Sequence, residues 1–543
     1  MEKNRLKLPA GIHTFEKIRN GNFIYVDKTK YLVDLIDTGD VYFLSRPRRF
    51  GKSLTVSTFK ELFSGNRELF KGLYAEEFLN RPDFKPSPVI RLDMSKVNTG
   101  EGIEVFKESL QLVTLEIADL LEVEVPKQAN SVDIFRNIII NSYKKYSSKV
   151  VVLVDEYDKP FTDFFDNPTM AEQIRSFLRT YYSQIKSNEE YIRFIFITGI
   201  TKFTKMGVFS TLNNLTDISP LEKYGEMLGY TDAEIINYFP EYIDETAKKY
   251  NISNEELIVR MRNYYDGFSF DSSGKHHLYN PYSTLRFFFS QDFVNYWFES
   301  GTPSVLAKYF KDNNLTVEQF RNYPVSKDDI YNSVEIENAS PVDFLFQCGY
   351  LSLRSGTNNK LLLDYPNTEV LDSMSKLFTK NILQNNSENF NFCRNNLHNA
   401  LEEVDYNAVI EVFNCLLASI PYDDYSKAAE QSIKNNKYNI KPQEWLYRSN
   451  LFSFLRGCDV LVFAEMHTNL GRADLVVSYE GKTWIIELKV AYKGQNPKKK
   501  AQEAFKQIID NNYAKPYPNA VCIGMAIDDE VRQITEYRIN NEQ

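Results

Sequence analysis

Positive charge is the minority sign in this chain, and cysteine, histidine and long apolar runs are scarce. Its 64 lysines and arginines are outweighed by 73 aspartates and glutamates, leaving a net charge of −9. That balance argues against a protein that coats nucleic acid along its length, although it leaves room for a local basic groove. The five cysteines, at 348, 393, 415, 458 and 522, form no Cys-x-x-Cys pair. They read as reduced thiols, which excludes a disulfide framework or a cysteine zinc site. The five histidines lack ligand spacing, and His276-His277 is an isolated doublet. The apolar runs at 150–154 and 194–197 are far too short to cross a bilayer. Met1 to Leu8 is charged and leads into no apolar core, so the expectation is a cytoplasmic chain without a membrane partner. No internal repeat or extended low-complexity segment is present.

What is there amounts to more than one domain. With 543 residues, 43% of them hydrophobic and 25% charged, the chain is an ordinary globular sequence too long for a single core. Residues 1–225 alternate strand and helix signals, as an α/β domain does. Residues 226–380 turn to amphipathic helical stretches, such as Asp232 to Tyr242 and Asn254 to Tyr265. Turns are expected at Asp266-Gly267, Asn280-Pro281 and Tyr365-Pro366. An Asn-rich patch, Gln384 to Asn396, reads as a junction before a third region, 381–543, that starts helical and then carries strands between helices.

The first chemical signal is Arg46-Pro-Arg-Arg-Phe-Gly-Lys-Ser53, a phosphate-binding loop in which Arg46 replaces the usual leading glycine. The apolar run Val41–Leu44 precedes it and helix-forming residues from Leu54 follow. Strand, loop and helix N-terminus would aim backbone N–H groups at an anion, with Lys52 reaching the β- and γ-phosphates and Ser53 ligating Mg²⁺. Arg46, Arg48 and Arg49 add positive charge, either for phosphates or to anchor a neighbouring domain. A second apolar run, Val150–Val154, ends in Asp155-Glu156 and reads as a strand buried on both faces. There Asp155 would hold Mg²⁺ and Glu156 would act on the attacking water, unless the pair is only the charged end of a core strand. A third strand, Phe194–Ile197, ends at Thr198, which is either a γ-phosphate sensor or the start of a turn. Pro88–Asp93 supplies a further strand.

The second signal lies near the C-terminus, in Gly471-Arg-Ala-Asp474 and Glu487-Leu-Lys489. Glu480-Gly-Lys482 marks a hairpin turn that sets Asp474 across from position 488, give or take one. Glu487 and Lys489 share a face, so two carboxylates and an ammonium converge. A divalent metal would neutralise the carboxylates, and Lys489 would orient the water that attacks a phosphodiester. A salt-bridged hairpin face is the plainer alternative. Upstream, a helical stretch around Gln443–Arg448 places Glu444 and Arg448 one turn apart, and Glu444 would give a further metal ligand. Downstream, Gln507 sits on a helix able to face the site. The lysines at 493 and 498–500 either meet phosphate backbone or form a solvated loop cluster.

Together these segments resemble the AAA-ATPase-like family, which usually carries a C-terminal PD-(D/E)XK nuclease-like domain. The resemblance extends to Asp155-Glu-Tyr-Asp158, Thr198-Gly-Ile-Thr-Lys202, Leu212-Asn-Asn-Leu-Thr-Asp-Ile-Ser219, Tyr265-Asp-Gly-Phe268 and Tyr279-Asn-Pro281. It covers essentially the whole chain. It implies an α/β fold in three parts: a P-loop NTPase domain with a parallel sheet, a helical, winged-helix-like middle domain, and an α/β nuclease-like domain. It also implies that Arg48, Arg49, Phe50, Gly51, Lys52, Ser53 and Leu54, with Asp155 and Thr198, serve ATP. Ser53 and Asp155 would then hold Mg²⁺, and Glu444, Asp474 and Glu487 would hold Mg²⁺ or Mn²⁺, with Glu156, Lys489, Asp474 and Glu487 catalytic. Gln507 matches a recurrent position, whereas Arg448 stands where a histidine is frequent. The expected function is an ATPase coupled to a nuclease acting on DNA, with defence against foreign DNA suggested by analogy and a homo-oligomer left open. The rival expectation is a nucleotide-gated switch whose nuclease-like module only binds nucleic acid or a protein.

Overall fold

The computed structural model describes residues 5–100, 102–164, 167–202, 205–209, 212, 214–301, 316–331, 340–356, 360–383, 387–420, 442–467 and 471–540. The chain divides into two compact units, Met1–Gly301 with Asn322–Glu369, and Thr302–Arg321 with Val370–Gln543. The expected 225/226 boundary falls inside the first unit and the 380/381 boundary inside the second. No described helix is long and apolar enough to cross a membrane.

The first unit is built on five parallel strands: β1 (Val41–Ser45), β2 (Val89–Asp93), β3 (Val150–Asp155), β4 (Ile192–Gly199) and β5 (Thr216–Asp217). Their order is β2-β3-β4-β1-β5. All six residues of β3 are buried, as the continuous apolar run requires of a strand covered on both faces. Because the strands are parallel, the loop after β1 and the carboxylates after β3 open at one edge, where α/β sheets hold their ligands. The helix Lys52–Ser64 leaves that edge, and Phe59 and Phe63 pack against Phe194 of β4.

The remainder of this unit is mostly helical. The expected helix from Asp232 to Tyr242 is two, Asp232–Tyr238 and Pro240–Tyr250. Pro240 has no N–H to continue the first helix but suits the first turn of the second. Thr231 and Glu234 close a capping box at the first start. Asn280-Pro281 opens a helix rather than only a turn, with Asn280 accepting from the backbone of Tyr282 and Ser283. Beside these helices lies a small antiparallel sheet of β6 (Tyr323–Val325), β7 (Ser352–Ser355) and β8 (Leu361–Asp364).

In the second unit the Asn-rich patch is not a connector where it is described. Ser387–Glu403 is a helix, held by buried Phe390, Cys393, Leu397 and Leu401 at helical spacing. Helices Tyr406–Ala418 and Pro442–Gly457 follow. The sheet has the order β13-β12-β11-β10-β9, with β9 Leu461–His467, β10 Arg472–Tyr479, β11 Lys482–Ala491, β12 Val521–Asp528 and β13 Gln533–Ile539. Only β11 and β12 pair in parallel, and the helix Pro497–Asp510 connects them. That helix packs so tightly that a Cβ on Gly524 of β12 would stand 2.3 Å from the Phe505 nitrogen.

Candidate active sites

The phosphate loop departs from its consensus without strain at the departure. Left-handed backbone falls on Arg49 (φ 68°) and Gly51 (φ 95°), and not on Arg46. A side chain is therefore admissible at residue 46, and this one is used. The Arg46 guanidinium is buried and donates to the carbonyls of Ser45 (2.9 Å), Ser219 (2.9 Å) and Tyr224 (3.3 Å). It also lies 5.0 Å above the Phe270 ring. Burial, opposed by Asp217 and Asp271, lowers it to about 10. Arg46 thus fastens its loop to the 219–224 segment of the same unit, rather than to a neighbouring domain.

Lys52 is turned back on its own loop, with Nζ donating to the carbonyls of Arg46 (2.9 Å) and Pro47 (2.8 Å). Burial lowers its pKa, against Glu156, Asp158 and Asp155. Asp155 is buried and its Oδ1 has no hydrogen-bond partner. Burial raises this carboxyl, against a hydrogen bond with Ser53. Glu156 is raised too, by burial and against Lys52, on a left-handed backbone (φ 51°). Arg48 to Thr55, Asp93, Glu156 and Asp158 line a cavity of about 700 Å³, within the range of small-molecule sites. Ile12, Ile24, Met227 and Leu228 supply apolar lining. An unpartnered carboxylate oxygen beside a hydroxyl is a donor set suited to a hard divalent cation. Thr198 is placed differently from the other expected residues. Its hydroxyl donates to the Leu44 carbonyl (2.8 Å), which ties β4 to β1.

The hairpin forms as the turn residues indicate. Pairs Tyr479–Lys482 and Leu475–Ile486 set Asp474 opposite Glu487, within the expected one-residue margin. The Leu488 N–H donates to Asp474 Oδ2 (2.8 Å), and the Asp474 N–H donates to Glu487 Oε2 (3.3 Å). Lys489 Nζ lies 3.2 Å from Glu444 Oε1 and 3.5 Å from Glu487 Oε1. Burial, together with Asp474, pushes Glu487 up to about 9, and burial likewise raises Asp474. Burial works against the Lys489 ammonium, but Glu444, Glu487 and Asp474 together raise it. Glu444, Asp474, Glu487 and Lys489 thus come together, yet no three acidic, histidine or cysteine side chains form a ready metal cage among the described residues. Glu444 is paired with Lys489 rather than added to the carboxylate pair. The oxygen donors of Asp474 and Glu487 fit a hard cation, with the Lys489 ammonium now supplying the positive charge.

Gln507 and Lys498–Lys500 lie on the helix Pro497–Asp510. Gln507 donates to the Tyr513 hydroxyl (3.3 Å). Lys498, Lys499 and Lys500 form the first turn of the helix Pro497–Asp510 rather than a loop, capped by Asn496, with Lys500 on Glu503 (2.6 Å).

Comparison with known proteins agrees with both halves. The family described as "Predicted AAA-ATPase" matches residues 9–209, and the "PD-(D/E)XK nuclease superfamily" matches residues 442–537. A protein of Azotobacter chroococcum mcd 1, described as "Uncharacterized protein in vnfD 5'region", is 33% identical over 522 residues, covering 95% of this chain and 94% of its own. The chain belongs to the AAA-ATPase-like family with a C-terminal PD-(D/E)XK nuclease-like domain. Among solved structures, the Aeropyrum pernix ORC1 protein in complex with DNA is similar at 12% identity and a TM-score of 0.24, covering 64% of this chain and 91% of that one.

Within the AAA-ATPase-like part, sequence reasoning assigned no role to Asp158. Its carboxylate accepts from the N–H groups of Ile200 (3.0 Å) and Thr201 (2.8 Å) and from the Thr201 hydroxyl (3.0 Å). It thereby knots Asp155-Glu-Tyr-Asp158 to Thr198-Gly-Ile-Thr201, and Gly199 makes the approach possible. A Cβ there would stand 2.5 Å from the Tyr157 ring. The shared Asp and Gly of the two motifs were the available signal. In the nuclease-like part the missed residue is Glu465, whose carboxylate pairs with buried Arg448 and lies 3.3 Å from Arg472.

Proposed function

We propose that the first unit binds and hydrolyses ATP with Mg²⁺ and that the second is a metal-dependent nuclease acting on DNA. The observation that carries the reading is the convergence of half-buried Glu444 and Lys489 on buried Asp474 and Glu487, in a chain whose other unit has a phosphate loop over a cavity of about 700 Å³. Burying so many charges is expensive, and no core requires it. In the ATPase, Lys52 would leave the Arg46 and Pro47 carbonyls for the β- and γ-phosphates, whose oxygens offer a charge that the carbonyls lack. The loop amides and Arg48 and Arg49 would hold the phosphates, while the apolar lining at Ile12, Ile24, Met227 and Leu228 takes the base. Glu156, raised by burial, is suited to orient a water and accept its proton. Ser53 and Asp155 would hold Mg²⁺, which neutralises charge on the transferring phosphoryl group.

In the nuclease, Asp474 and Glu487 would hold the metal, which supplies charge neutralisation at the scissile phosphate. Glu444 fixes Lys489, and Lys489 orients the attacking water. Incubating labelled plasmid with Mg²⁺ or Mn²⁺, with and without ATP, tests the reading. Nicking that requires the divalent ion is the expected result, and intact plasmid under all conditions would contradict it. The second reading, a nucleotide-gated switch with a binding module, draws support from Lys489 occupying the carboxylate site and from the absence of a ready cage among the described residues. It predicts retention of plasmid without cleavage. A degenerate loop that binds nucleotide without hydrolysis would leave ATP intact in a single-turnover assay.

A further inference from the structure

The phosphate loop is held on one side by later residues of its own unit. Phe50 is buried against Phe268 and Phe270, with ring centroids 4.9 and 5.1 Å away. Gly349, on a left-handed backbone (φ 87°), meets Pro47 so closely that a Cβ there would stand 2.4 Å from the Pro47 Cγ. Beside them is Trp297, 2% exposed, whose Nε1–H donates to the Arg48 carbonyl (3.0 Å). Its ring packs on Phe268 (5.8 Å) and Tyr350 (5.3 Å), and its backbone N–H donates to Glu369 Oε1 (2.6 Å). The other oxygen of that buried carboxylate accepts from the Ser283 hydroxyl (2.8 Å). Backbone and indole of Trp297 are therefore both fixed.

In a trans peptide the C=O and the N–H that follows it point in opposite directions. Trp297 takes the Arg48 carbonyl, which turns the Arg49 N–H to the other side of the loop. Trp297 is not among the residues that line the cavity, whereas Arg48 to Thr55 are. The N–H groups of Arg49, Phe50 and Gly51 have no acceptor among the described residues. Left-handed backbone at Arg49 (φ 68°) and at Gly51 (φ 95°) belongs to the kind of concavity in which successive N–H groups face one anion. For an arginine that conformation is unfavourable alone and persists only where the surroundings impose it. Rotating the peptide between Arg48 and Arg49 would relieve it, because the same rotation changes the Arg49 φ. The bond from Trp297 opposes that rotation.

We propose that Trp297 is a positioning residue of the nucleotide site, whose indole N–H fixes the plane of the Arg48–Arg49 peptide and so aims the Arg49 N–H at the phosphates. Trp297 acts through that peptide and touches no phosphate itself. Without the indole N–H the plane rotates, the left-handed backbone at Arg49 relaxes, and the concavity loses a donor. The proposal rests on the ATP reading given above, and the experiment keeps the two apart.

Binding of ATP and of inorganic tripolyphosphate, each with Mg²⁺, is measured by titration calorimetry on the full chain, Trp297→Phe and Trp297→His, beside the melting temperature of each. Phenylalanine keeps an aromatic ring and lacks the donor. Histidine is smaller, but its Nε2 stands as many bonds from the backbone as the indole Nε1 and can donate. Trp297→Phe is expected to bind both ligands about tenfold more weakly, the worth of one hydrogen bond. Trp297→His is expected to melt below Trp297→Phe and yet to bind tripolyphosphate more tightly than it does. Where the histidine variant does not fold, Trp297→Phe decides alone. Affinities that follow melting temperature across the two variants mark a merely structural tryptophan and overturn the proposal. So does a Trp297→Phe that binds both ligands as tightly as the unaltered chain, a result that leaves the ATP reading standing. An unaltered chain that binds neither ligand refutes the ATP reading, and the proposal falls with it.

Discussion

At the scale of single residues, the buried charges around the phosphate loop divide by what they do. Arg46 and Asp158 bond to the backbone of neighbouring loops and act as fasteners, whereas Asp155 keeps a carboxylate oxygen without a partner. Gly199 lies where Asp158 is fastened, against the Tyr157 ring. Gly199→Ala forces a Cβ to within 2.5 Å of Tyr157. Overpacking of this kind costs about 1–3 kcal/mol, and a lowered melting temperature measures it. Glu487 yields a pH prediction. Its pKa is raised from the ordinary carboxylate range to about 9 by burial and Asp474. Between those limits the folded chain binds more protons than the unfolded one, so this group's contribution to stability declines as pH rises. A divalent cation competes with that proton, so Mn²⁺ affinity measured by titration calorimetry should climb with pH up to about 9. Glu487→Gln should flatten the slope. A slope that persisted in the variant would assign the titration elsewhere.

At the scale of elements, the sequence showed most where a motif is local. The strands before Arg46 and Asp155 were legible as apolar runs, and the hairpin register followed from Glu480-Gly-Lys482 because turn geometry fixes pairing. Partners far along the chain were not legible. Nothing near Arg46 indicates that its guanidinium will meet carbonyls at 219 and 224, and nothing near Arg448 points to Glu318. Polarity misled at Ser387–Glu403, where asparagines cover the outer face of a helix whose inner face is Phe390, Cys393 and Leu397. The expected ligand role of Glu444 met a competitor on the adjacent strand, since Lys489 shares its face with Glu487. The Arg46 anchor is testable at this scale. Arg46→Met keeps an apolar stem but removes the guanidinium donor from the Ser219 carbonyl and one of the two donors, the other being the Met227 N–H, from the Tyr224 carbonyl. An unmet buried carbonyl costs about 1–3 kcal/mol, so a drop in melting temperature with weakened nucleotide binding is expected.

At the scale of the whole molecule, the two candidate sites draw on residue sets that do not overlap, Lys52, Asp155 and Glu156 in one unit and Glu444, Asp474, Glu487 and Lys489 in the other. A ligand that binds only the folded first unit stabilises it by mass action, by about 2.7 kcal/mol at a hundredfold excess over Kd. Calorimetry should therefore show Mg²⁺-ATP raising one unfolding transition, unchanged in Asp474→Ala and lost in Lys52→Ala. The most direct test of the account measures ATP hydrolysis and plasmid nicking on the same preparations of the unaltered chain, Lys52→Ala and Asp474→Ala. The account predicts that Lys52→Ala loses hydrolysis, and that Asp474→Ala loses metal-dependent nicking while hydrolysis stays largely intact. Undiminished nicking by Asp474→Ala would contradict it.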